Sequence, residues 1–269
     1  GWGGTRVDLT GISCYSSNNL VNWENHGNIL PADNVNDTHD LYRENVAERP
    51  KVIFNKETGK FVMWLHIDSM DYKKAKCGVA ISDHPTGPFE YIKSFRPNGK
   101  MARDLTVFVD DDIKAYLFTS SEDNTAIHIS QLSNDYLSTT GNYSRIFVGR
   151  YMEAPTVFKA NDKYYFIGSG CTAWKPNAAR SAVASSIWGP WVELGNPCRG
   201  SSGDVSTTFH SQSTYIMPVK GQGLGNGDRF MFAADQWNEK NLSDSHYIWL
   251  PLSFDEESGH PIMKWRDEW

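Results

Sequence analysis

Apolar residues in this chain fall in short runs, alternating or continuous, that are cut by Gly, Asp, Asn and Pro; a 3.6-residue helical period is almost absent. Aligned, the runs repeat. One unit reads ERPKVIFNKETGKFVMWL, the next RDLTVFVDDDIKAYLFTS, the next EAPTVFKANDKYYFIGSG, with a looser fourth in SQSTYIMPVKGQGLGNGDRFMFAADQW. Each holds an apolar strand, a polar turn of the kind that closes hairpins, and an aromatic second strand. An outer pair follows each hairpin: GVAISDHPTGPFEYIKSF, AIHISQLSNDYLSTTGNYSRIFVG, SAVASSIWGPWVELGNP and HYIWLPLSFDEESGHPIMKW. Near the N-terminus, GISCYSSNNLVNWENHGNIL matches an outer pair with no hairpin before it. Val52, Val107, Val157 and Ile216 are spaced by 55, 50 and 59 residues, which suits four-stranded propeller blades. The prediction is an all-β fold, a five-bladed β-propeller whose first blade is incomplete at the N-terminus, with residues 1–269 as a single catalytic domain. A β-sandwich would have shorter repeats and would not carry acids at a common phase.

Polar residues open the inner strands where burial is expected: Glu48, Asp104, Glu153 and, in the fourth unit, Gln212. Propeller inner strands run side by side around the axis, so these residues are expected to converge at one channel mouth. Counting back from the anchoring apolar residue gives four places for Glu48, Glu153 and Gln212 but three for Asp104. With a strand period of two, Asp104 is therefore expected to face differently from the others. Carboxylates around a small cavity raise one another's pKa, and a protonated carboxyl beside an ionised one is the equipment of glycoside hydrolysis.

The motifs E-A-P-T-V-F-K, R-D-L-T-V-F-V-D-D-D and E-R-P-K-V-I-F-N together resemble glycoside hydrolase family 43, a five-bladed propeller family, over essentially the whole chain from Gly11 to Trp265. AERPKV, SGCTAWKPNAA and FHSQSTYI are most similar to its exo-β-1,3-galactanase branch. The resemblance implies an inverting enzyme that releases galactose from the non-reducing end of β-1,3-galactan, as in arabinogalactan backbones. Glu153 would be its general acid, oriented and tuned by Asp104. It further implies that Glu48 contacts the terminal galactose, that Gln212 holds the attacking water, and that Tyr72 and Thr172 touch sugar. Most family members carry an Asp base on the first inner strand of blade one, which has no counterpart in this chain. Gln212, an amide, can position water but deprotonates it only as an imidic tautomer. An α-L-arabinofuranosidase or β-xylosidase of the same family, and a non-catalytic carbohydrate-binding propeller, are the alternatives.

Composition narrows the classes further. A net charge of -6 argues against a phosphate-driven nucleic-acid binder. Ten Trp, 12 Tyr and 13 Phe are expected to be mostly sheet core, with Trp174 the best candidate for stacking on a sugar ring. Glu122 and Asn124 follow a second strand and are candidate substrate contacts or turn formers. Asp235, Gln236 and Trp237 are expected at the strand end opposite the acids, as packing or rim, and His210 as a hydrogen-bonded core histidine. Asp110–Asp112 lacks the glycine and terminal glutamate of a calcium loop and reads as a solvated turn. No metal site is assigned and no cofactor is required, a structural calcium ion being the one option. The four cysteines are too dispersed for a C-x-x-C motif and are expected to be free. No apolar run spans a bilayer and no signal segment is visible. A polysaccharide or oligosaccharide partner implies export, to the medium, periplasm or cell surface, of an expected monomer.

Overall fold

A computed structural model describes residues 8–219 and 229–268, which form largely antiparallel sheets with one short α-helix, α1 (Ser202–Thr207). They divide into two compact units, residues 8–123 with 128–145, and residues 124–127 with 146–268.

In the first unit, β1 (Gly11–Ser16) and β2 (Glu24–Pro31) make a two-stranded sheet. A four-stranded sheet follows in the order β3 (Val46–Asn55), β4 (Lys60–Asp68), β5 (Lys76–Ser82), β6 (Glu90–Phe95). The next is β7 (Leu105–Val109), β8 (Ala115–Ser121), β9 (Ala126–Leu132), β10 (Thr139–Ile146), its last two strands straddling the division. Strand β8 is buried throughout and β4 from Val62 onward, so neither shows the in–out alternation of a half-buried strand. Trp64, Leu105, Leu117 and Tyr136 lie in one core cluster, and the Trp64 indole N–H, which would be costly to bury unpaired, donates to Tyr136 O at 3.0 Å.

The second unit holds β11 (Met152–Ala160), β12 (Lys163–Gly170), β13 (Arg180–Ala184) and β14 (Val192–Gly195) in sequence order. Asn161 and Asp162, both at positive φ, close the β11–β12 hairpin as a two-residue turn. A five-stranded sheet orders β15 (Cys198–Arg199), β19 (Pro261–Lys264), β18 (His246–Phe254), β17 (Arg229–Gln236) and β16 (Gln212–Val219), with β15 parallel to β19. Its core is aromatic, with Phe158 stacked on Tyr165 at 5.3 Å and tilted against Phe230 at 4.9 Å. Only part of the aromatic surplus is core, against expectation: Trp64 is the one fully buried tryptophan among the described residues, while Tyr15, Trp23, Phe54, Trp188 and Tyr247 are exposed.

The architecture is an all-β propeller, and the described residues hold four sheets of blade size rather than five, with β1–β2 as a separate two-stranded sheet. GISCYSSNNLVNWENHGNIL pairs only with itself as β1–β2, because no inner hairpin lies beside it among the described residues. The β16–β17 turn at 220–228 lies outside the described residues. No disulfide joins the four cysteines, and Cys77 and Cys198 are buried. No helix among the described residues is long and apolar enough to cross a membrane.

Candidate active site

The cross-strand register shows what places the four polar residues. Glu48 lies opposite His66 and Val52 opposite Met63, so four steps on β3 match three on β4. Glu153 to Val157 likewise spans Ser169 to Phe166, and Gln212 to Ile216 spans Asp235 to Phe232. Each of these strands carries a β-bulge, one extra residue. The β7–β8 pair has none: Val107 faces Leu117, and three steps back Asp104 O accepts from Ser120 N. The bulge absorbs the extra residue, so Asp104 stands on the same rung of its hairpin as the other three. The expectation that it faces differently is corrected.

In the first unit Glu48 is held by two elements. Tyr72 Oη donates to its Oε1 at 2.8 Å, and His66 Nδ1 lies 3.4 Å from its Oε2. Tyr72 projects from the turn after β4 with left-handed backbone (φ 55°), and Arg103 donates to its carbonyl at 3.1 Å. His66, 1% exposed, places Nε2 2.9 Å from Asp68 Oδ2. Burial opposes charging this ring, but the carboxylates of Asp68, Glu48 and Asp104 outweigh it and push its pKa up to about 9. Burial also works against the Asp68 carboxylate, yet the His66 contact and backbone N–H groups hold its pKa down. Arg49, just past Glu48 in the bulge, puts Nε 3.2 Å from Asp104 Oδ1.

In the second unit Glu153 opens β11. Gln212 Nε2 donates to its Oε1 at 3.0 Å and Asn124 Nδ2 to its Oε2 at 3.2 Å. Gln212 Nε2 also donates to Ser169 Oγ at 3.0 Å, while Trp237 Nε1 donates to Gln212 Oε1 at 2.9 Å. An indole donor on Oε1 favours the amide over the imidic form of Gln212. Residues Thr208, Phe209 and His210, before Gln212, are all left-handed (φ 52°, 56° and 59°), a sparsely populated backbone for non-glycine residues and of the kind found at functional sites. The Thr208 hydroxyl locks this turn, donating to Asn177 O and accepting from Ala179 N, each at 2.7 Å.

Thr172 is exposed, and its hydroxyl serves the 170–177 loop, accepting from Asn177 Nδ2 at 2.7 Å and donating to Lys175 O. Trp174 meets Trp237 edge to face at 5.3 Å, and both line a cleft with His210, Gln212 and Asp235. Asp235, Gln236 and Trp237 are therefore at the same end as Gln212, not the opposite one, since an antiparallel hairpin returns its second strand to the start of its first. His210 is exposed on that cleft, contrary to the core reading. Glu122 is engaged by Arg145 Nη2 at 2.6 Å and His128 Nε2 at 2.8 Å, and Arg145 chiefly holds its pKa down. Asp112 pairs with Lys114 in the β7–β8 turn.

A model of glycosyl hydrolases family 43 matches residues 3–211 of this sequence. The chain belongs to glycosyl hydrolase family 43. Among solved structures, a family 43 β-1,3-galactosidase with galactodeoxynojirimycin superposes with a TM-score of 0.92 at 42% identity, over 99% of this chain and 89% of that one. An exo-β-1,3-galactanase from Phanerochaete chrysosporium, in a glutamate-to-glutamine form with β-1,3-galactotriose, gives 0.85 at 34% identity, over 96% and 57%. The β-D-galactofuranosidase xynD of Aspergillus niger is 24% identical over 227 residues, 78% of this chain. This family 43 chain spans 66% of that curated relative's length.

For a family 43 chain the question of a metal is met by the first unit. Glu48, His66 and Asp104 bring ligand atoms within 4.8 Å of one another. They do not fit calcium, which takes six to eight oxygens. Arg49 and the charged imidazole already supply positive charge there. His66 is the polar contact that sequence reasoning passed over, and Trp237 the one it placed at the wrong strand end. The H-x-D pair inside an otherwise apolar strand, FVMWLHID, was the available signal for the first, because residues two apart share a face.

Proposed function

We propose that this chain is a glycoside hydrolase that removes galactose from the non-reducing end of β-1,3-linked galactan, with inversion. The observation that carries the reading is the Glu153 carboxyl at the lead of a bulged inner strand, gripped by Gln212 and Asn124. The solved relatives with a galactose-like iminosugar and with β-1,3-galactotriose support the same substrate class. In this reading Glu153 gives its proton to the glycosidic oxygen as the C1–O bond breaks. Water attacks C1 from the other face and releases a proton to solvent, from which the Glu153 carboxylate is reprotonated, leaving α-galactose and a galactan shorter by one residue. Gln212 positions, through its amide N–H groups, and does not act as a base. By the family resemblance Asp104 is assigned to tuning the acid and Glu48 and Tyr72 to the terminal sugar, with Thr172, Trp174, Asn124 and Glu122 as further candidate substrate contacts. The enzyme acts as an exported monomer on arabinogalactan-type polysaccharide and needs no cofactor.

The test is a substrate panel: β-1,3-galactobiose, a β-galactofuranoside, an α-L-arabinofuranoside and a β-xyloside. Galactose release from the first alone is expected. Preferential turnover of an arabinosyl, xylosyl or galactofuranosyl substrate overturns the specificity. Binding of galactobiose with no turnover of any substrate overturns the enzymatic reading.

A further inference from the structure

The proposed chemistry gives His66 no part, yet its surroundings are built for one. It lies directly opposite Glu48 on the β3–β4 ladder, so the two side chains share a face. Asp68, two residues on and on the same face of β4, is fully buried and holds Nε2 at 2.9 Å. The other ring nitrogen faces Glu48 Oε2 at 3.4 Å and has no well-aligned hydrogen-bond acceptor although it is buried. At that distance it acts on Glu48 mainly through charge. The second Glu48 oxygen is taken by Tyr72, whose ring lies 6.0 Å from the imidazole. Asp104 also bears on the ring, and Arg49 pairs with Asp104. From β5, Cys77 stands opposite, its thiol kept neutral by burial. Three carboxylates thus surround one imidazole and one guanidinium, and without the imidazole's charge they would repel Glu48 outward.

We propose that His66 is a positioning residue: an imidazolium clamped by Asp68 that holds the Glu48 carboxylate, beside Tyr72, in the orientation that receives the terminal galactose. The proposal rests on the reading of Glu48 as a sugar contact. It differs from a packing role because it acts through charge, and so must be lost when the ring deprotonates. Asp68→Asn weakens the clamp and leaves the ring in place, whereas His66→Gln removes the charge outright.

The experiment is the pH dependence of kcat and KM on β-1,3-galactobiose for the wild type, Asp68→Asn and His66→Gln, with melting temperatures recorded alongside. For the wild type, KM is expected to rise near pH 9. In Asp68→Asn that rise moves down by about one pH unit or more, as loss of a carboxylate partner requires. In His66→Gln, KM is raised roughly tenfold at neutral pH, kcat changes less, and the alkaline rise disappears, the pattern of lost ground-state binding. An alkaline rise that stays put in Asp68→Asn, or survives in His66→Gln, overturns the proposal. So does chelator-abolished activity restored by zinc, which would make the ring a metal ligand. If either variant fails to fold, or the wild type does not hydrolyse the disaccharide, ¹⁵N-histidine titration decides separately. The His66 midpoint is expected to fall by about one pH unit in Glu48→Gln, and an unchanged midpoint overturns the coupling.

Discussion

The charge on His66 also sets a pH dependence of stability. Its pKa is raised in the folded state, from 6.5 to about 9. Folding therefore favours the protonated ring, and its contribution is fully present below pH 6.5 and is lost as pH rises through 9. At roughly 1.4 kcal/mol for each pH unit between those values, the contribution is about 3 kcal/mol. The ring is 1% exposed and Asp68 fully buried, so solvent screens that contact little, whereas Glu48, a third exposed, contributes less. The perturbation is His66→Gln, which keeps a hydrogen-bonding group near Asp68 but cannot carry charge. Urea unfolding followed by tryptophan fluorescence at pH 6, 7.5 and 9.5 supplies the free energies. The variant is expected to be less stable at pH 6, with the gap to wild type narrowing by about 3 kcal/mol by pH 9.5. A gap that is constant with pH would refute the reasoning by showing an unshifted ring, and one that widens toward alkali by showing a ring neutral in the folded state.

Three further outcomes follow from the second unit. Trp237→Phe keeps an aromatic ring against Trp174 but removes the donor to Gln212 Oε1; kcat/KM on β-1,3-galactobiose is expected to drop about 5- to 30-fold, for a loss of roughly 1–2 kcal/mol. A change under twofold would show that Gln212 is oriented by other contacts. Gly168→Ala would place a Cβ 2.9 Å from Phe166 and 3.0 Å from the Glu153 carbonyl, so unfolding free energy should fall by about 1–3 kcal/mol, as measured by denaturation. Proton NMR of a fresh digest should show α-galactose before mutarotation, and β-galactose first would exclude inversion.

The repeat and the acids at its strand leads were legible because a hairpin with a fixed turn leaves a periodic trace. The bulges were not, since counting by twos assumes an unbroken ladder. Pro50 and Pro155, two residues after Glu48 and Glu153, were the overlooked sign, because proline within a strand is confined to edges and bulges. Asp104 is followed by no proline and has no bulge. Trp237 was misplaced for a topological reason, as its strand returns to the end where Gln212 begins. His66 was hidden by burial: in a run as apolar as FVMWLHID a histidine reads as core, and only the Asp68 and Glu48 contacts reveal its charge. The outer pair of the incomplete first blade was legible as β1–β2, but the described residues hold only four sheets of blade size.

The central claim is that Glu153 protonates the departing sugar oxygen, and it is tested most directly by comparing leaving groups. Glu153→Gln and wild type would be assayed on β-1,3-galactobiose and on 2,4-dinitrophenyl β-galactoside, whose leaving group needs no proton. The account predicts that the variant loses about 10²–10⁴-fold in kcat on the disaccharide and far less on the dinitrophenyl substrate. Equal losses on both substrates, or undiminished cleavage of the disaccharide, would contradict it.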